Sequence, residues 1–141
     1  MSYSSVKSQS FENITMVNNR LVPYSFNESN AYLSTDGNIL FFNSSENINN
    51  VGGLSDMNDI WFRNKNNGVW GSPVNLTEIN TTDNDLILGL KKDNLIILRN
   101  GLIHYFDTRN AFKLLKTEIV DGFSSNYNLL SGSINATLDI I

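Results

Sequence analysis

The chain has 141 residues, of which 40% are hydrophobic and only 17% charged, and a formal net charge of −4. It has no cysteine and one histidine, which excludes a disulfide framework, a thiolate zinc site, a cysteine nucleophile and a multi-histidine metal centre within one chain. Its 10 Lys and Arg are scattered and its longest apolar run is Leu95 to Leu98, so neither a nucleic-acid partner nor a membrane span of ~20 residues is expected.

The length suits one domain. Solvation falls to neutral polar groups: 23 Asn, 16 Ser and 8 Thr make up a third of the chain. Asn is a poor helix former because its side chain competes for nearby backbone groups. No window shows a clean helical period. Short branched or aromatic runs alternate instead with Asn, Asp, Gly and Ser clusters, the punctuation of an all-β protein. In chain order, strands are predicted at 14–17 and 20–24 around Asn18-Asn19, then at 31–33 and 39–43 around Thr35-Asp36-Gly37-Asn38. The next pair lies at 59–64 and 69–70 around the turn 65–68, followed by 86–90 and 95–99 around 91–94. The last pairs are 102–107 with 112–118, and 127–130 with 136–141. Connections this short predict antiparallel pairing of sequence neighbours.

Aligning the hairpins suggests an internal repeat. Residues 32–42 match 88–98 at an offset of 56, and 130–140 match more loosely about 42 further on. Two hairpins per unit give four strands in roughly 42 to 56 residues, the size of a β-propeller blade. Stacked blades would also explain why 39–42 and 95–98 are continuously apolar, since such strands are sandwiched on both faces. The expected fold is therefore all-β: antiparallel four-stranded blades of an incomplete or shared β-propeller. It forms a single region over 1–141, with units near 14–82, 83–122 and 123–141.

Five sub-motifs occur in order within 31–82: Leu33-Ser-Thr-Asp-Gly-Asn-Ile-Leu-Phe-Phe42, Gly52-Gly53, Asn58-Asp-Ile-Trp-Phe62, Gly68-Val-Trp-Gly-Ser-Pro-Val-Asn-Leu76 and Ile79-Asn-Thr81. This succession resembles the WD-like repeat of TolB-type propellers. The likeness is degenerate over 83–118 and fragmentary beyond. It implies a bacterial cell-envelope or secreted protein whose propeller binds proteins or envelope components and is rarely catalytic. A closed propeller takes at least about four blades, so some three blades here imply a piece of a longer propeller, or closure by self-association or by a second chain.

Asp36-Gly37 is expected to build its hairpin turn. Asp56-Met-Asn-Asp59 brings Asp56, Asn58 and Asp59 together, three oxygen donors of the kind calcium prefers, without the spacing of a calcium loop; the simpler role is to satisfy loop amides. Trp61 and Trp70 suit either stacking on a ligand or wedging between blades. Glu28 and Asp85 are the sharpest catalytic idea, because propeller glycosidases draw acid and base carboxylates from different blades. A third unit offers no matching acid near Ser125-Asn126. No metal or cofactor site is expected. Six Asn-x-Ser/Thr sequons, including Asn43, Asn75 and Asn80, fall within what such a composition produces by chance.

The expected function is a non-enzymatic module that binds a protein or envelope component. The alternatives are a carbohydrate-binding or glycoside-hydrolysing propeller, or a structural subunit completed by another chain. The expected location is periplasmic, cell-surface or secreted. Because the N-terminus lacks an apolar signal stretch, it is cytoplasmic if the chain is complete.

Overall fold

A computed structural model describes residues 27–119 of the protein. Predicted hairpins at 14–24 and 127–141, and the third unit, lie outside the described residues. The described part is all-β, in two antiparallel sheets of consecutive strands. The first contains β1 (Asn27–Leu33), β2 (Ile39–Ser45), β3 (Asp59–Asn66), β4 (Val69–Trp70) and β5 (Val74–Asn75); the second contains β6 (Leu86–Lys91), β7 (Asn94–Arg99), β8 (Leu102–Asp107) and β9 (Lys113–Ile119).

Each sheet is a meander, in the orders β1-β2-β3-β4 and β6-β7-β8-β9. Hairpins 32–42 and 88–98 thus come first in their respective sheets. The outer edge of the first sheet is split. Trp70 pairs with Lys65 in β4 and Val74 pairs with Phe62 in β5, both on β3. Pro73 lies between them; it has no N–H for a ladder and breaks the edge strand in two.

The turn chemistry follows the sequence. Asn67 and Gly68 have φ of 50° and 81°, and Asn100 and Gly101 have φ of 51° and 75°. Both are two-residue connections with positive φ throughout, the geometry that matches strand twist and that Asn-Gly tolerates best. At the β1–β2 turn, the Gly37 N–H donates to Ser34 O at 2.8 Å, and Ser34 Oγ donates to Asp36 Oδ1 at 2.6 Å. That hydroxyl, together with the Asn38 N–H and side chain, holds the Asp36 carboxyl below its usual range.

Strands β6 and β7 of the second sheet are buried on both faces, as their continuous apolar runs predict, whereas β9 is exposed along its length. Ile87, Leu95, Ile97 and Phe106 face the first sheet and pack with Phe41, Ile60, Leu76 and Ile79. Leu86, Leu88, Ile96, Leu98, Ile103 and Tyr105 form a second buried cluster on the opposite face. Strand β6, at one edge of the second sheet, lies against β1, β2 and β3 of the first sheet. The two sheets therefore stack face to face in the manner of propeller blades.

β1 departs most from expectation. β1 extends N-terminal of Ala31 to include Asn27, the first described residue, because pairing of Asn27 with Ser45 carries the ladder through a polar stretch. Asn30, with φ of 49°, marks the irregularity between Ser29 and Tyr32. Cross-strand pairing outweighs the weak intrinsic β preference of Asn and Ser there.

The stack predicts a clear contrast in stability. Ile87→Ala should cost about 2–5 kcal/mol in urea unfolding, whereas Val69→Ala, at a position 66% exposed, should stay within about 0.5 kcal/mol. Equal costs would show that the two sheets do not share a core.

Candidate functional site

The corner between the sheets is built from side-chain amides and carboxylates. Asn43, fully buried on β2, donates from Nδ2 to Asp85 O at 2.7 Å and to Asp59 O at 3.2 Å. Its Oδ1 accepts the Ile87 N–H at 2.9 Å. The side chain thus serves the main chain at the start of β6 as a neighbouring strand would. Asn80 does the same for β3: Oδ1 accepts the Ile60 N–H at 3.0 Å and Nδ2 donates to Ile60 O at 2.8 Å. Tyr32 Oη adds a further bond between the sheets, donating to Leu88 O at 3.0 Å.

Asp85, also fully buried, is tied into this corner. Its carboxylate accepts the Thr81 N–H at 2.7 Å and pairs with Arg99 Nε, while the other end of the guanidinium donates to Ile79 O. Its own N–H donates to Asn58 O at 2.9 Å, and Asn58 Nδ2 donates to Asn84 Oδ1 at 2.9 Å. Burial pushes the Asp85 carboxyl above its usual range, against the pull of the Thr81 amide and Arg99. Glu28, by contrast, is exposed on β1. The two carboxylates do not share an environment, and Asp85 already has its oxygens occupied by structural donors.

The β2–β3 loop is organised around the other predicted acids. Asp59 Oδ2 accepts the Val51 N–H at 2.7 Å and Asn75 Nδ2 at 2.6 Å. Asp56 Oδ2 accepts the Gly52 N–H at 2.9 Å. A Cβ on residue 52 would stand 3.0 Å from that oxygen, so the close approach favours glycine. Trp61 is buried and donates from Nε1 to Asn50 Oδ1 at 2.9 Å. Asp56, Asn58, Asp59 and Trp61 are therefore all internal, and Gly52, Asp59, Trp61, Asn75 and Asn80, drawn from the sequence sub-motifs, meet in one region. Burial, with Asp56 adding to it, pushes the Asp59 carboxyl up to about 6, although Asn75 and the Val51 amide pull it down.

Trp70 is the most accessible of the predicted aromatic candidates. It is half-buried on β4, with Lys65 Nζ 5.5 Å from its ring centroid. Lys65 also lines an open groove of about 640 Å³ between the β1–β2 and β3–β4 turns, with Asp36, Asn38, Asn64, Asn66 and Asn67. Sequence reasoning missed this groove; the signal available was the clustering of Asn at two turns that the strand order places side by side. Among the described residues, no helix is long and apolar enough to cross a membrane.

Compared with known proteins, the chain matches no family model, no curated protein and no solved structure.

Two outcomes are expected. Asp85→Asn breaks a buried ion pair and should cost about 3–5 kcal/mol in denaturant unfolding, whereas Glu28→Gln should be neutral within about 0.5 kcal/mol. An Asp85→Asn protein of unchanged stability would contradict the structural role. For Asp59 the folded form holds its proton more tightly than the unfolded chain, whose usual value is 3.8. Its contribution to stability is complete below that value and is lost as pH rises through about 6. In buffer free of divalent cations, urea unfolding should show this decline in the wild type and a flattened profile in Asp59→Asn. An identical pH profile in both would refute the assignment.

Proposed function

We propose that the protein is a non-enzymatic binding module, part of a TolB-type β-propeller in a cell-envelope or secreted assembly, that recognises a protein or envelope component. The observation that carries this reading is the use made of the acids. Asp85 and Asp59 are buried and bonded within the scaffold, so the acids best placed for chemistry hold the sheets and loops together. Exposed at the turn end of the first sheet is instead a groove rich in neutral amides. An amide both donates and accepts, which suits recognition of peptide groups or hydroxyls rather than charge. The sub-motifs at 31–82 supply the family part of the reading.

A carbohydrate ligand is the second reading, favoured by Trp70, whose neighbour Lys65 lines the same groove. Exposed Leu114, Leu115 and Ile119 on outer strand β9 favour completion of the assembly by another chain.

The test is capture of solubilised envelope components on the immobilised chain. Capture should persist from about 0.05 to about 0.5 M salt, because few charges contribute. It should be lost in Asn38→Ala/Asn66→Ala, whose exposed side chains line the groove. Capture that disappears with salt, or is unchanged in the double variant, would contradict the groove. Glycoside turnover abolished by Glu28→Gln would replace the reading with an enzymatic one.

A further inference from the structure

The β2–β3 loop contains two carboxyls that are each half satisfied. Their Oδ2 atoms accept loop N–H groups, Gly52 for Asp56 and Val51 for Asp59. Their Oδ1 atoms are buried and have no hydrogen-bond partner. The residues themselves are only 4% and 0% exposed, and the two carboxyls lie against each other. Between Ser45 and Asp59 the chain supplies Glu46 and Asp56 and no lysine or arginine.

Two adjacent buried carboxyls with unpaired oxygens require positive charge, since burying an isolated carboxylate costs several kcal/mol or more. A single shared proton leaves one negative charge in place. A dication neutralises both carboxylates and uses both orphaned oxygens. The N–H groups of consecutive residues Val51 and Gly52 fix the Oδ2 atoms and so hold the Oδ1 atoms in place.

We propose that Asp56 Oδ1 and Asp59 Oδ1 bind a hard divalent cation of the calcium class, which clamps the β2–β3 loop. Among the described residues no third acidic or histidine side chain joins them, so main-chain carbonyls and water complete the shell. Calcium accepts six to eight oxygens in irregular geometry, which suits a loop; magnesium demands a near-ideal octahedron. The site is independent of the proposed binding function and serves the architecture of the loop.

The test is isothermal titration of the full chain with CaCl2 at neutral pH, together with thermal unfolding in CaCl2 and in EDTA. A dissociation constant of about 10⁻⁴–10⁻³ M, as in extracellular modules, and a rise in melting temperature with calcium are expected. Asp56→Asn should weaken binding at least about tenfold and abolish the rise, while Glu46→Gln retains both. Asp56 accepts one amide, against two donors for Asp59, so this variant should stay folded in EDTA. Gly52→Ala, which crowds the Asp56 carboxyl, should weaken binding as a second variant. No heat and no thermal shift with calcium would overturn the proposal. So would a response undiminished in Asp56→Asn and Gly52→Ala, or a melting temperature that responds to acid but not to calcium, which would assign the pair a shared proton instead.

Discussion

One buried amide, that of Asn43, sets the relation between the two sheets. The two consecutive sheets have no ladder between them, and the main chain entering the second sheet needs partners. Asn43 supplies them, taking the Ile87 N–H and giving hydrogens to the carbonyls of Asp85 and Asp59. A leucine of similar size would leave buried peptide groups unpaired, at about 1–3 kcal/mol each. A charged residue would bring a desolvation cost that only another charge offsets. An amide avoids both, and Asn80 repeats the device on Ile60.

From that joint the rest of the architecture follows. With β6 fixed against the first sheet, the alternating faces of β6, β7 and β8 point into two separate apolar clusters. Both faces of β6 and β7 are thereby buried, which accounts for their unbroken apolar runs. The same joint draws Asp85, Thr81, Arg99 and Asn58 into one network, so the carboxylate at the start of β6 becomes an internal brace. What remains accessible at the turn end of the first sheet is polar but weakly charged.

Strands and turns were largely legible in the sequence because their signals are local. Asn-Gly pairs, Ser34 with Asp36-Gly37, and apolar runs bounded by Asn clusters each act over a few residues. The roles of Asn43, Asn75 and Asn80 were not legible. Each sits in a sequon that composition alone explains, yet each bonds a residue at least 16 positions away in sequence. Asp85 and Trp61 were legible as chemistry but not as position: exposure depends on how the sheets stack, and nothing in a hairpin's own residues states it. β5 escaped notice because Val74-Asn75 is too short to show any period and is defined only by its partner β3.

Amide hydrogen exchange at Ile87, measured residue by residue in the wild type and in Asn43→Ala, tests the joint most directly. The joint predicts that the wild-type Ile87 N–H exchanges as slowly as the core of β7, and that Asn43→Ala accelerates Ile87 selectively while β7 stays protected. Rapid exchange of Ile87 in the wild type, as at an open sheet edge, would contradict it.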